Sequence, residues 1–203
     1  MTDQRLGPLT TFDAVFQAEH VASIVVKKGP SSVLPAGACL AEAVLAVDEH
    51  GCVELEGDAR RVDRRCLESM VFRAWLFGVL GFLESRAREM ISQDPDWRAV
   101  ISESRLEKAR TLKDERARRG RVMGTVDALQ FGDVGALAVR YDGWYGFFDV
   151  ESKRQAKKLA KQLETLRNVL AHGQDIGQQD WDTVVAVARS VLAIKEAELN
   201  TTP

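Results

Sequence analysis

The sequence has few cysteines and almost no excess of charge of either sign. Its three cysteines, Cys39, Cys52 and Cys66, are widely spaced and odd in number. This spacing predicts neither a metal-binding pair nor the disulfide framework of a secreted protein, so we expect three buried free thiols. The formal net charge is only −2. Any contact with nucleic acid must therefore come from a local basic surface.

Long hydrophobic runs and targeting patterns are also absent from the sequence. The most apolar stretch, residues 70–83, is interrupted by Arg73 and is too short to cross a bilayer. Residues 1–10 have neither the basic start nor the apolar run of a signal peptide. The sequence contains no P-loop, no dinucleotide-binding glycine pattern and no serine-nucleophile elbow. We therefore expect a cytoplasmic protein with no membrane partner, no cofactor and no metal.

The chain has 203 residues, of which 45% are hydrophobic and 29% are charged. These are ordinary values for a globular protein with a proper core. In residues 1–60, VASIVV (21–26) and CVELEG (52–57) predict short strands, and residues 40–47 predict a short helix between them. A unit of this size cannot bury its own faces. It must therefore pack on the helical part of the chain or on another copy.

The pattern from about residue 62 to residue 91 predicts one long helix. One line of this helix consists of Val62, Cys66, Met70, Ala74, Phe77 and Gly81. A second line widens the apolar stripe until it nearly encircles the helix, with Leu67, Val71, Trp75, Val79 and Phe82. A helix that is apolar on most sides is the central one of a bundle. We therefore expect both Trp75 and Phe77 to be buried.

Several further segments carry helix signals. Asp94-Pro95 predicts the start of a helix and Ser102 predicts a restart. Residues 123–140 predict one or two short helices, whereas DGWYGFF (142–148) predicts an aromatic, glycine-rich loop. Ser152 and Gly173 bound a predicted helix over residues 153–170, and Asp180 caps a final one. The fold prediction is a mainly α protein, with a helical bundle over residues 61–203 and a small α/β appendage over residues 1–60.

The most informative segment is RNVLAH, residues 167–172, at the end of a predicted helix. Asn168 and His172 are four residues apart and share a helix face, while Arg167 lies one step to the side. A guanidinium is a planar donor fork suited to phosphate, and an imidazole can take or give a proton. Such a pair can promote cleavage of a phosphodiester, with the imidazole transferring the proton and the guanidinium stabilising the developing charge. On spacing alone, a histidine that satisfies helix-end carbonyls and an arginine in solvent are the more ordinary interpretation.

The surrounding sequence, LETLRNVLAHGQDIGQQDW, resembles the signature of the HEPN superfamily (named for higher eukaryotes and prokaryotes nucleotide-binding). In that family an Arg, a following polar residue and a His close the last core helix as R-x4-H. The resemblance covers about residues 62–197 and implies a HEPN-like bundle that acts as a metal-independent endoribonuclease, with the motifs of two protomers meeting in one cleft. It assigns His172 as general acid or base on a ribose 2′-hydroxyl, Arg167 as stabiliser of the pentacoordinate phosphate, and Asn168 as an orienting group.

Other HEPN domains serve only as nucleotide-binding, toxin-neutralised or structural partners. The resemblance therefore also allows a non-catalytic dimeric helical adaptor, or a protein that senses a nucleotide or another ligand. The partners it implies are RNA, a second copy of the chain, and an antitoxin or nucleotide ligand in a toxin or defence system. Residues 1–60, through PAGACLAEAVLAVDEHG followed by a strand, resemble half of a CBS-type ligand-sensing repeat. No binding residue is carried over from that likeness.

Two basic segments are candidates for contact with RNA. The predicted motif helix carries a cluster from which we expect RNA-binding residues, namely Arg154, Lys157, Lys158 and Lys161. The run from Arg105 to Arg121 also contains three acidic residues, and Glu103 lies just before it, which favours an ordinary solvated helix face over RNA contact. The aromatic residues of segment 142–148 could stack on bases, insert into the end of the bundle or form a dimer contact.

Overall fold

The computed structural model describes residues 32–35, 38–56, 58–148 and 150–201. Within these residues the chain is mainly α-helical with a small three-stranded sheet, which confirms the predicted fold class. The elements are β1 (Ser32–Leu34), α1 (Leu40–His50), β2 (Cys52–Leu55), β3 (Asp58–Asp63), a 3-10 turn (Cys66–Glu68), α2 (Met70–Gln93), a second 3-10 turn (Trp97–Val100), α3 (Glu103–Arg118), α4 (Phe131–Ala138), α5 (Asp142–Phe148), α6 (Lys153–Ala171) and α7 (Gln178–Thr201). None of these helices is long and apolar enough to cross a membrane. The strand predicted at residues 21–26 lies outside the described residues.

The sheet has the strand order β1-β2-β3, with β1 parallel to β2 and β2 antiparallel to β3. Val53 and Val62 face each other across β2 and β3, and both are fully buried. A cross-strand ion pair joins Arg61 Nε to Glu54 Oε1 at 2.8 Å. Strand β2 confirms the prediction for residues 52–57. The prediction that a helix begins near Val62 is wrong, because that residue is held in β3 by its partner on β2.

Helix α1 confirms the helix predicted at residues 40–47 and connects the two parallel strands. The Glu42 carboxylate accepts a hydrogen bond from the Cys39 backbone N–H at 2.7 Å, which anchors the first turn. The apolar face of α1 packs on α7, and Trp181 Nε1 of α7 donates to the Asp48 carboxylate at 2.9 Å. The described part of the α/β segment thus packs on the helical part of the chain.

The chain forms two compact units. The described residues up to Leu80, together with those from Leu166 onward, form the first unit, and residues Gly81–Thr165 form the second. The dividing points fall within α2 and within α6. The predicted division of the chain at residue 60 stays a prediction.

Helix α2 begins at Met70 and buries only one of its sides. The buried side chains are Phe72, Trp75, Leu76, Val79, Leu80, Leu83, Ala87 and Ile91. Burial of Trp75 is therefore confirmed. Phe77 is 42% exposed within the single chain, so its predicted burial requires coverage by a partner chain. Successive residues turn by about 100° around a helix, so the line through Met70, Ala74 and Phe77 lies opposite the core.

The segment 142–148 is a helix, α5, so the predicted loop is wrong. Trp144 and Phe148 lie four residues apart and are both buried, with their ring centroids 5.0 Å apart in an edge contact. This spacing places both rings on one helix face, and their burial outweighs the low helix propensity of the two glycines. For these two aromatic residues, insertion into the core is the correct interpretation. Asp94-Pro95 begins only the 3-10 turn at Trp97–Val100.

All three cysteines are buried free thiols, as the sequence predicts. Burial raises the pKa of the Cys66 thiol above its ordinary value, because desolvation disfavours the thiolate. A thiol in such surroundings is a structural residue rather than a nucleophile.

Candidate functional site

The predicted motif lies at the end of α6, whose start also follows the prediction. The Ser152 hydroxyl accepts a hydrogen bond from the Gln155 backbone N–H at 3.2 Å, so Ser152 caps the helix. One face of α6 is buried and consists of Ala156, Leu159, Ala160, Leu163 and Leu166. The following residue, Arg167, is therefore carried to the edge of the core, and Asn168 is carried into solvent.

Gly173 ends this helix, as the sequence predicts. Its φ of +66° lies in the left-handed region that favours glycine. The Gly173 N–H donates to the Leu170 carbonyl at 3.2 Å, and the Gln174 N–H donates to the Val169 carbonyl at 3.0 Å. These two bonds form a Schellman motif, which makes His172 the C-cap residue of α6. The backbone of the histidine is thus fixed by the turn.

The three motif side chains lie at an accessible helix end. Asn168 and His172 are exposed, and Arg167 is half-buried. Arg167 Nη1 lies 3.4 Å from Asn168 Oδ1, a weak hydrogen bond. The guanidinium of Arg167 also lies over the ring of Phe77, 5.8 Å from its centroid. Among the described residues no carboxylate forms an ion pair with Arg167, so its charge is not neutralised locally.

The N-terminal half of α2 borders the motif within the same compact unit. Arg73 Nη2 donates a hydrogen bond to the carbonyl of Gln174, immediately after the Schellman turn. Arg73 and Phe77 are four residues apart, so one side of α2 contacts both ends of the motif segment. Met70 is 80% exposed on that side, and Ala74 is also exposed. We refer to Met70, Ala74 and Phe77 as the α2 face.

The turn that follows the motif is held by residues on both sides. The Asp180 carboxylate, itself buried, accepts a hydrogen bond from the Gly177 N–H at 3.1 Å. Arg64 Nη2 donates to the Gly177 carbonyl at 2.9 Å, and the Arg64 guanidinium lies 4.7 Å from the ring centroid of Trp181. Asp180 is the third residue of α7 instead of the predicted cap, because the helix already begins at Gln178.

The predicted RNA-binding residues separate into two groups around α6. Lys157 and Lys161 line a groove with a volume of about 450 Å³ in the unit formed by residues 81–165. Arg154 and Lys158 are exposed, but they do not line this groove. Lys157 and Lys161 share the groove with Arg105 and Lys108 of α3.

The position of α3 along this groove is not apparent from its sequence, whose mixed charges predict a solvated helix face. That interpretation is accurate for Arg110, which pairs with Glu103 at 2.7 Å and with Glu107 at 3.4 Å. Arg105 and Lys108 face α6 instead. No local pattern reveals this, because Arg105 and Lys157 lie 52 positions apart in the sequence.

The helix end at residues 167–172 presents a donor fork, an amide and an imidazole to solvent. These groups can bind a phosphate and move a proton. Within the residues that the structure describes, no group of three or more His, Cys, Asp or Glu side chains is arranged to hold a metal ion. The chain matches no protein-family model, no curated protein and no solved structure.

Proposed function

We propose that this chain is a HEPN-type RNA-binding protein that cleaves RNA without a metal. His172 takes the proton from a ribose 2′-hydroxyl or gives a proton to the leaving 5′-oxygen. Arg167 stabilises the charge of the pentacoordinate phosphate, and Asn168 orients the histidine or the phosphate. Attack by the neighbouring 2′-oxygen breaks the bond to the 5′-oxygen, and the products carry a 2′,3′-cyclic phosphate and a free 5′-hydroxyl.

The observation that carries this proposal is the accessibility of the motif. Asn168 and His172 are exposed, and Arg167 has no ion-pair partner among the described residues. Its contacts are the Phe77 ring and the Asn168 amide oxygen. Neither of them neutralises the guanidinium, so it can accept a phosphate.

The proposal includes a homodimer, with RNA and a second copy of the chain as partners. The R-x4-H arrangement supplies one set of groups per chain, and in this family two sets meet. The α2 face supports such a contact, because it exposes Met70 and Phe77, and Phe77 lies beside Arg167. Exposed apolar patches mark interaction sites more often than chance allows. We place this dimer in the cytoplasm, in a toxin or defence role in which an antitoxin restrains it.

The experiment compares wild-type protein with His172→Ala on a mixed single-stranded RNA in the presence of a chelator. A general acid–base group contributes about 10²–10⁴-fold, so the variant should lose nearly all cleavage. Its far-ultraviolet circular dichroism and its dimer content should remain unchanged, because the side chain is exposed. Product ends are checked by their resistance to phosphatase before acid treatment, which is a property of a cyclic phosphate.

Three outcomes of this experiment are informative. Loss of cleavage in His172→Ala together with cyclic ends supports the proposal. Equal cleavage by both proteins means that a contaminating nuclease is at work and contradicts it. If neither protein cleaves RNA but both still bind RNA or a nucleotide, the result favours the non-catalytic adaptor over the enzyme.

A further inference from the structure

A second basic feature lies entirely within the unit formed by residues 81–165. It is a groove bounded by α3, α4 and α6, and it continues toward Arg140 at the end of α4. We refer to it as the basic groove. Its six cationic side chains are Arg105, Lys108, Arg140, Lys153, Lys157 and Lys161. Among the residues that the structure describes, two carboxylates, Asp133 and Glu164, line the same surface. The basic groove is thus strongly positive in a chain whose formal net charge is −2.

Both carboxylates of the groove are already engaged with a cation. Asp133 is buried, and its Oδ1 lies 2.6 Å from Arg105 Nη1. Glu164 Oε2 lies 2.8 Å from Lys161 Nζ. In the described part of the chain, neither Lys108 nor Lys157 has a hydrogen bond or an ion pair through its ammonium group. The groove therefore retains positive charge that no internal acid neutralises.

Gly132 fixes the position of the second carboxylate. A Cβ atom at this residue would lie 2.5 Å from Glu164 Oε1, which is closer than real Cβ contacts allow. The missing side chain lets Glu164 lie against the backbone at the start of α4. The carboxylate therefore stays on the wall of the groove, where it holds Lys161, and the space between α3 and α6 stays open.

We propose that the basic groove binds the phosphodiester backbone of single-stranded RNA. Lys153, Lys157 and Lys161 follow one another at one-turn intervals along α6, about 6 Å apart by helix rise. Such a row of point charges suits the evenly repeated phosphates of an extended strand. This inference rests on the RNA substrate of the proposed function, but it uses none of the motif residues.

The lining of the groove favours the backbone of RNA over its bases and over an acidic peptide. The described apolar residues along it are all aliphatic, namely Val100, Ile101, Ala136, Leu137, Val139 and Ala160. They offer no aromatic platform on which bases could stack. Among them only Val100 is a large exposed side chain, at 41%, so a peptide would find few of the apolar contacts that dominate protein interfaces. Binding in the groove is therefore electrostatic and independent of RNA sequence.

The test measures binding of a fluorescein-labelled single-stranded RNA 12-mer by anisotropy, in the full-length His172→Ala background with a chelator present. The groove variant is Lys108→Ala/Lys157→Ala. The control is Arg110→Ala/Lys113→Ala, which also removes two positive charges from α3, at residues that do not line the groove. The groove variant should bind about tenfold more weakly or worse. Its slope of log affinity against log salt should fall by about 1.4, because a single-strand phosphate contact contributes about 0.7.

A second variant gives an effect of the opposite sign. Glu164→Gln keeps the shape of the side chain but removes a negative charge from the groove and releases Lys161. It should bind the RNA about twofold to fivefold more tightly, the range expected from loss of one surface ion pair. A variant that merely failed to fold could not bind more tightly. This change therefore keeps the test informative even if the double variant is unstable.

The outcomes separate this inference from the proposed function. Equal RNA affinity of the groove variant and the control contradicts RNA binding by the basic groove. The proposal also fails if the His172→Ala protein binds no RNA. A labelled polyglutamate peptide that loses affinity in the groove variant, while RNA affinity stays constant, overturns the choice of RNA. If RNA binding depends on the basic groove but wild-type protein does not cleave RNA, the proposed binding site is supported and the catalytic proposal fails.

Discussion

The guanidinium of Arg167 lies over the ring of Phe77, with its central carbon 5.8 Å from the ring centroid. The two residues come from different helices, and the phenyl ring is 42% exposed. A flat ring beneath a flat guanidinium limits the directions in which the arginine can point. The contact therefore orients the donor fork without neutralising its charge.

Loss of the Phe77 ring should reduce the contribution that we propose for Arg167 in RNA cleavage. A cation–π contact at an exposed site contributes about 0.5–1 kcal/mol. We therefore expect Phe77→Leu to lower single-turnover RNA cleavage about twofold to fivefold, and Arg167→Lys to lower it far more, because a point charge does not replace the planar fork. Met70→Leu is the matched control on the same face. An equal loss in that variant would mean that the face, and not the contact with Arg167, matters.

The α2 face should also be part of a dimer contact. Met70 is 80% exposed and lies on the same side of α2 as Phe77, so a charge introduced there would have to be desolvated in the dimer. Sedimentation equilibrium at high micromolar concentration should show a dimer for wild-type protein and a monomer for Met70→Asp. Val122→Asp is the control, because Val122 is 98% exposed and lies outside α2. A monomeric wild-type protein would contradict the proposal that the motifs of two protomers meet in one cleft.

The sequence predicted the elements whose signals are local. Ser152 and Gly173 bound α6 because a hydroxyl cap and a left-handed glycine act within a few residues of themselves. Strand β2 and helix α1 were equally visible, through alternation and short apolar spacing. The errors occurred where a distant partner decides the structure, as at Val62, which pairs with Val53 on the neighbouring strand.

The same distinction applies to the candidate sites. Arg167, Asn168 and His172 are close together in the sequence, so their shared helix end could be inferred from spacing. The basic groove could not, because Arg105 meets Asp133 only through tertiary packing. Phe77 shows a further limit: an apolar stripe that nearly encircles α2 predicts a central helix, but hydrophobicity alone does not reveal that the side carrying Phe77 is uncovered within one chain.

The turn that places His172 should depend on Gly173. A residue with a Cβ atom in the left-handed region pays about 1 kcal/mol, and here φ is +66°. We expect Gly173→Ala to lower the free energy of unfolding in urea by about 1 kcal/mol and to reduce cleavage. Gly81→Ala in the interior of α2 should instead be neutral or stabilising, since nothing lies within 4 Å of its added Cβ atom. Equal effects of the two changes would contradict the role of the Schellman turn.

The pair formed by Tyr141 and Asp94 gives the second unit a dependence on pH. The Tyr141 hydroxyl donates to the Asp94 carboxylate at 2.8 Å. Burial, followed by this hydrogen bond, raises the pKa of Tyr141 from 10.0 to about 12. The pKa of Asp94 is lowered, first by the Asp96 backbone N–H and then by Tyr141. The two shifts act at opposite ends of the pH scale.

Tyr141 gives a measurable prediction, because the pKa of its hydroxyl is higher in the folded state than in the unfolded state. The folded state then holds the proton more tightly, so the contribution to stability is fully present below pH 10 and is lost as the pH rises toward 12. Tyr141→Phe should cost less than about 1 kcal/mol at pH 8, because solvent reaches the pair. Between pH 10 and 12, its free energy of unfolding should fall less steeply than that of wild type. Parallel curves would contradict the raised pKa. The sequence has only two tyrosines, so absorbance titration of the variant, which retains Tyr145 alone, assigns the alkaline step directly.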